Sequence, residues 1–363
     1  MNKEYKVRPY RLGDEEEIVE LLQLVLGGWP HFDLDCTPLE HWRWKYLDRL
    51  SMKKTVVVAL SDDKIVGCLH DGCHKIKAGD TIVLGDQGTD LAVHPDFRRM
   101  GIYNKMDEYF DDLNLSFSVS GNPIVYKKAM RSGDRRFPYH ISFMTLIKDI
   151  DMHFDNVESK HSFLKKYGFK SLKGFYKLYR LTKQRIPSKN LKLGINIHSI
   201  TRFNEEINEF WEDIYNYYDF ILVRDQDYLN WRYADTRGGK YHIKIAKIKN
   251  KIVGYIVLRI NRYKSNYHIG YILDLLASPS VSRVEIALLN DAINYFDELG
   301  INQVDYRSVK DSVYNKTAKS FGFLEIPNKF MIWSDKRSSL NIENIQISSP
   351  DHIHFCYGDT DII

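Results

Sequence analysis

Apolar positions change period repeatedly along the chain, and the changes mark its elements. Alternation over 7–10 predicts a strand, and Asp14-Glu15-Glu16-Glu17 then supplies acids to the first turn of a helix whose apolar face is Ile18, Leu21, Leu22 and Val25. The runs 54–60 and 64–70 meet across Ser61-Asp62-Asp63 and predict a hairpin. A longer strand over 81–93 stops before Pro95, a helix covers about 102–113, a short strand follows over 115–120, and Pro123 opens another helix. Farther along, a helix over 205–217, strands over 241–248, 252–260 and 268–277, a helix over 284–299 and a strand over 303–307 repeat that plan.

Local sequence repeats too. Asp63-Lys64-Ile65-Val66-Gly67 returns as Asn250-Lys251-Ile252-Val253-Gly254, and Trp44-Lys45-Tyr46-Leu47-Asp48 as Trp231-Arg232-Tyr233-Ala234-Asp235, both 187 residues later. Asp90-Leu91 with His94-Pro95 answers Asp274-Leu275 with Ser278-Pro279, and Tyr109-Phe110-Asp111-Asp112-Leu113 answers Tyr295-Phe296-Asp297-Glu298-Leu299. A duplicated unit predicts two tandem domains, one over 1–183 and one over 194–335, divided where Lys, Arg, Pro and Ser replace apolar residues. Tyr167-Gly168-Phe169 lies closer to its echo Phe321-Gly322-Phe323, so the first unit carries an insert near 128–160. Residues 336–363 read as a separate surface tail.

Composition narrows the class. No stretch is apolar for the eighteen or more residues that a membrane span needs, and the first residues lack the apolar core of a signal peptide, which together place the chain in the cytoplasm. Four scattered cysteines, Cys36, Cys68, Cys73 and Cys356, form no disulfide framework and read as free thiols. A net charge of +4 set against 48 acids gives no concentrated basic face, which excludes nucleic acid as a partner. Cys68, His70, Cys73 and His74 gather possible metal ligands but lack a paired Cys-x-x-Cys spacing, so no metal is expected.

The most informative segment runs from Asp90 to Tyr103. A strand stops at a proline, a short basic loop follows, and a helix opens at Gly101. Helix N-termini leave backbone N–H groups unpaired and carry partial positive charge, so such a turn receives a pyrophosphate, and Arg98 and Arg99 add cationic donors. Here the sequence resembles the Gcn5-related N-acetyltransferase (GNAT) superfamily, whose signature is Arg or Gln, two residues, Gly, one residue, then Gly or Ala. Arg98, Gly101 and Val93-His94-Pro95 fit it, whereas Tyr103 stands where the family has a small residue. Asn122, Tyr126 and Gly168-Phe169 follow in the family's order.

The resemblance implies an α+β fold of three layers, with two tandem GNAT-like domains, each a mixed, mostly antiparallel sheet flanked by helices. It implies an N-acetyltransferase that moves an acetyl group from acetyl-CoA to a primary amine, of an amino sugar or another small molecule. Leu91, Ala92, Val93, Arg98, Arg99, Met100, Gly101, Ile102, Tyr103 and Asn122 would hold the cofactor. Asp90 or Asp86, on one face of their strand by alternation, would remove the amine's proton, with Asp90 nearer the expected parting of strands, and Tyr126 would donate to the departing thiolate. The loop containing Trp29, His31 and Asp33, with Trp42 and Trp44, would bind the acceptor. In the second unit Glu285 aligns with Gly101, and a carboxylate there repels phosphate, so that copy reads as degenerate. Two rival readings remain: a Fem-type aminoacyl transferase, against which the glycine turn speaks, and a non-catalytic scaffold in which both sites have decayed.

Overall fold

The computed structural model describes residues 4–30, 32–48, 56–110, 115–120, 127, 130–131, 133–153, 173–174, 176–179, 194–264, 266–334 and 345–360. In the first half, β1 (Lys6–Pro9), β2 (Val56–Ser61), β3 (Lys64–Ala78) and β4 (Thr81–Val93) form an antiparallel meander, joined in parallel by β5 (Leu115–Ser120). Strands β6 (Arg135–Arg136) and β7 (Ile141–Ile147) follow, then β8 (Asn196–Ile200) and β9 (Phe220–Leu222). In the second half, β10 (His242–Ile248), β11 (Lys251–Lys264), β12 (Tyr267–Ala277) and β13 (Gln303–Val309) repeat the meander and its parallel neighbour. β14 (Leu324–Ser334) closes the strand series.

The duplication extends to geometry. Both hairpins turn through two left-handed residues, Asp62 and Asp63 in one and Lys249 and Asn250 in the other, which suits the twist of the flanking strands. Gly67 and Gly254 hold matching places. A side chain on Gly67 would meet Ile102 and Met106, and one on Gly254 would meet Val284 and Leu288. The helix following each meander therefore packs on its sheet through the same glycine. These helices are α3 (Ile102–Asp107) in the first half and α6 (Val284–Glu298) in the second; further helices are α1 (Glu15–Leu26), α2 (Pro38–Tyr46), α4 (Glu206–Ile214), α5 (Gln226–Leu229) and α7 (Val313–Ser320).

This packing corrects the alignment of the second phosphate-type loop. Gly101, left-handed at φ 79, precedes α3 and accepts from the Lys105 amide; Arg283, left-handed at φ 67, precedes α6 and accepts from the Ala287 amide. Arg283, not Glu285, is thus the counterpart of Gly101, because the second loop is two residues shorter between its proline and its helix. Glu285 lies inside the first turn of α6, where burial pushes its carboxyl up.

The two halves exchange strands. The sheet order is β1-β2-β3-β4-β5-β14-β7-β13-β12-β11-β10-β8, so β14 from the second half pairs with β5, and β7 from the first half pairs with β13 and β14. The stretch that reads as an insert therefore contributes a strand to the second half's sheet. Its residues Ile141, Met144 and Leu146 are buried, and burial on both faces leaves no alternation for the sequence to display. No helix among the described residues is long and apolar enough to cross a membrane.

The C-terminal segment is not a surface tail over its described part. Residues 353–360 are buried, His354 donates its amide to Phe220 O, and its Nε2 donates to Leu275 O at 3.0 Å. Tyr357 lies over the Arg307 guanidinium at 4.1 Å and edge-on to Tyr271. The segment thus runs along the part of β12 that extends past its last pairing with β13, Ile272 with Tyr306.

Candidate active site

In the first half the corresponding strands also part. β4 pairs with β5 from Gly85–Leu115 to Gln87–Phe117 and no further, while Ser118, Val119 and Ser120 turn to β14. At the parting, β4 carries a register shift against β3 between Cys68 and His70, and Asp90 takes the left-handed φ of 38. A bulge with a strained non-glycine residue redirects the strand and bares its edge, a device concentrated at functional sites.

Beyond this edge lies the basic turn. Pro95–Phe97 make one 3₁₀ turn, Arg99 and Gly101 are left-handed, and α3 begins at Ile102. Among the described residues, no acceptor meets the backbone amides of Arg99, Met100, Gly101 or Ile102. Among the described residues, a side chain on Gly101 would have only the Tyr5 hydroxyl within 4 Å, at 3.9 Å, so these residues leave the turn open. Tyr5 braces it from behind by donating to Met100 O at 3.0 Å. Arg98 is exposed, and Tyr103 is 39% exposed with Ile102 inward, so Tyr103 projects away from the core.

Asp90 organises the floor. Its carboxylate accepts from Trp29 Nε1 at 3.0 Å, from Lys45 Nζ at 2.7 Å and from the Tyr46 hydroxyl, and its carbonyl accepts from His70 Nδ1 at 2.9 Å. Burial disfavours the charge, but Lys45, His70 and these donors overcome it and hold the carboxyl at about 2. His70 is a saturated neutral imidazole: Nδ1–H donates to Asp90 O, Nε2 accepts from Trp42 Nε1 at 3.0 Å, and burial pushes it down to about 4. Replacing Asp90 by asparagine leaves the half-buried Lys45 ammonium without its carboxylate, and is expected to lower unfolding free energy by about 3 kcal/mol in denaturant titrations. A loss under 1 kcal/mol would mean that the pair does not hold the floor together.

A cleft opens above this floor, between the halves. It is lined by Phe32, His41, Trp44, Lys45, His74 and Thr89 from the first half and by Trp231, Arg232, Gly238, Gly358, Asp359 and Thr360 from the second. The repeated tryptophans meet here. Trp44 and Trp231 stack with centroids 5.0 Å apart, and each indole donates to the other's backbone carbonyl, at 3.1 and 3.2 Å. His41 Nδ1 donates to Arg237 O at 2.7 Å, so Nε2 carries the lone pair, and burial pushes the imidazole down to about 4. The cleft therefore offers a neutral nitrogen acceptor ringed by Trp29, Phe32 and Trp44.

The other half preserves the pattern with different contents. Asp274, the counterpart of Asp90, accepts from Tyr233 at 3.2 Å, Tyr255 at 3.0 Å and Arg224 at 3.0 Å, and Arg224 also holds Asp359 at 2.5 Å. Every member is buried, and the C-terminal segment sits beside them.

Of the residues singled out by sequence, the structure gathers Asp90, Leu91, Ala92 and Val93 at the bared edge, and Arg98 to Tyr103 at the turn. Asp86 is buried one step inside the β4–β5 pairing, opposite Cys73. Trp29 reaches Asp90, and Asp33 offers its carbonyl to Arg259 at 3.0 Å. Asn122, Tyr126 and His31 lie outside the described residues. Cys68 and His70 are interior, with His70 committed to Trp42 and Asp90. Sequence reading missed His41, Lys45, Tyr46, Trp231, Arg232 and the residues Gly358–Thr360. The repeated Trp-Lys/Arg-Tyr triplet was the available signal, since all six of its residues point to the seam or to the paired aspartates.

Residues 6–114 match a family model described as an Acetyltransferase (GNAT) domain. No curated protein matches the chain. Among solved structures, a GCN5-related N-acetyltransferase from Anabaena variabilis is similar at 11% identity and a TM-score of 0.58, over 91% of this chain and 72% of its own. A conserved Enterococcus faecalis protein described as a probable N-acyltransferase is similar at 12% identity and 0.59, over 93% and 74%. Saccharomyces cerevisiae N-myristoyltransferase with bound myristoyl-CoA is similar at 10% identity and 0.58, over 92% and 79%.

Proposed function

We propose that this chain, which carries a GNAT acetyltransferase domain over residues 6–114 and the GNAT acyltransferase fold, moves an acetyl group from acetyl-CoA to a primary amine held in the cleft between its halves. The observation that carries this reading is the open turn at Arg99–Ile102, whose unmet amides stand beside the bared edge of β4. The pyrophosphate would lie on that turn with Arg98 and Arg99 flanking it, and the pantetheine would extend along Leu91–Val93 into the parting.

The amine nitrogen attacks the thioester carbon, the C–S bond breaks, the amine gives up one proton and the coenzyme leaves as a thiolate that takes one up. Backbone N–H groups on the bared edge would stabilise the oxyanion. Asp90 is a poor base here, since three donors hold it as an anion, so we assign it to fixing Lys45 and Tyr46 in the wall. The lone pair of His41 Nε2 is placed to accept from the incoming amine and orient it. Asp86, placed on the strand by alternation, is assigned the proton relay, and Tyr126, from the family resemblance, donation to the thiolate. A short acyl group is favoured because Phe117, at the last β4–β5 pair, packs edge-on against Phe220 and Phe355 and fills the core below the parting.

Calorimetric titration of acetyl-CoA tests the reading. The wild type is expected to bind, and Gly101→Glu to weaken binding at least ~100-fold, about 2.7 kcal/mol, by adding a carboxylate and a side chain to a left-handed position facing the diphosphate. Absence of binding by the wild type would favour the scaffold reading instead.

A further inference from the structure

Arg259, on β11, is 1% exposed, and its position differs from that of the other fully buried arginine. Arg224 is neutralised by two carboxylates, Asp274 and Asp359. Arg259 instead donates from Nε to the Asn261 amide oxygen at 3.0 Å and from Nη2 to the Asp33 carbonyl at 3.0 Å, and its buried Nη1 has no acceptor among the described residues. Next across the sheet, beyond Tyr271, the Asp305 carboxylate is taken up by Thr145 and Gln303, each at 2.8 Å. The Asp33 charge acts on Arg259 only through space; a guanidinium withdrawn from water with no carboxylate bonded to it costs several kcal/mol, and an orphaned donor adds to that cost. Such a group persists where a ligand completes it.

Its surroundings lead back to the cleft. Phe32, which lines the cleft, lies on the guanidinium face at 4.1 Å. Gly238 lines the cleft as well, and a side chain on Gly239 would come within 3.0 Å of Nη1, so the missing side chain leaves the space in front of that nitrogen. Arg232, also on the cleft, bonds the Tyr241 hydroxyl at 3.0 Å, and that ring lies 5.5 Å from the Arg259 guanidinium. One residue layer separates the orphaned donor from the acceptor space.

We propose that the acceptor carries a carboxylate or phosphate besides its amine, and that Arg259, with Arg232 beside it, seats that anion behind Phe32. The inference rests on the reading of the cleft as the acceptor site. The amine end would face His41 and the parting, and the anionic end would displace the Phe32 ring from Arg259.

Two measurements test it, both with acetyl-CoA saturating so that the turn at Arg99–Ile102 is occupied. First, inorganic phosphate at constant ionic strength is expected to raise the wild-type melting temperature by about 2–4 °C and to leave Arg259→Gln and Arg259→Lys unmoved. Second, thiol release is compared for matched amines, glucosamine against glucosamine 6-phosphate and tyramine against tyrosine. The wild type should favour the anionic member at least ~10-fold in kcat/KM, and Arg259→Lys should erase that preference through KM while its affinity for acetyl-CoA stays unchanged. No phosphate shift in the wild type, or an equal shift in both variants, overturns the proposal. Wild-type binding of acetyl-CoA alongside that negative result would leave the transferase reading standing, whereas loss of acetyl-CoA binding would remove both.

Discussion

Replacing Gly358 by alanine is expected to destabilise the protein by about 3–5 kcal/mol, enough to lower its melting temperature by several degrees and to abolish turnover. A methyl group there would sit 1.8 Å from the Tyr233 hydroxyl oxygen and 3.3 Å from the carbonyl of Leu273. The carbonyl belongs to β12 and cannot yield, so the phenol must. Tyr233 is one of the donors that satisfy buried Asp274, at 3.2 Å, and moving it strips a hydrogen bond from a charge that has no access to water. The substitution thus adds an overpacking cost to a desolvation cost. It also shifts Asp359 and Thr360, which line the cleft. Gly174→Ala, at a position where an added side chain meets nothing within 4 Å among the described residues, is the control and should change stability by less than ~0.5 kcal/mol. If thermal denaturation finds the two variants equal, the C-terminal segment is not packed as described.

The sensitivity of Gly358 shows why part of the molecule could be read from sequence and part could not. The duplicated hairpins, the meander and the turn at Gly101 are local, and their signals lie within a few residues: paired turn residues, β-branched runs, a proline, a glycine. The C-terminal segment has a polar ending, Gly-Asp-Thr-Asp, that reads as solvated, yet Asp359 is 1% exposed because Arg224, some 135 residues earlier, neutralises it. β7 was hidden for a related reason, since its partners β13 and β14 belong to the other half. Alternation predicted Asp90 on a strand but not the bulge that turns its carboxylate onto Lys45, Tyr46 and Trp29. Glu285 was misaligned because a two-residue shortening leaves no mark in a loop of such low similarity. Residues whose role depends on the opposite half, such as His41 and Arg259, carry no signature in their own neighbourhood.

Acidification from pH 7 to pH 4 is expected to remove about 6 kcal/mol of stability, much of what a domain of ordinary size possesses, before any carboxylate of the floor is protonated. The cause is a pair of histidines, His41 and His70, both pushed by burial down to about 4. Unfolding returns each to about 6.5. Their folded values lie below their unfolded ones, so the neutral forms are bound up with folding. Their stabilising effect is complete above pH 6.5, and it is lost as pH falls toward 4 because the unfolded chain takes up two protons that the folded chain refuses. Each contributes about 3 kcal/mol over that span, with a slope near 1.4 kcal/mol per pH unit. Asp90 acts later and with the same direction: held at about 2, it stabilises above its unfolded value near 4 and is lost as pH falls through 2. Denaturant titrations at pH 7, 6, 5 and 4 should therefore steepen below pH 6.5, and His41→Gln should halve the slope while leaving the low-pH loss from Asp90 in place. His70→Gln would also break the Trp42 bond and so lowers stability at every pH. A wild-type stability at pH 4.5 within 1 kcal/mol of that at pH 7 would show that the two imidazoles are charged or hydrated, and the neutral acceptor at the base of the cleft would be lost with them.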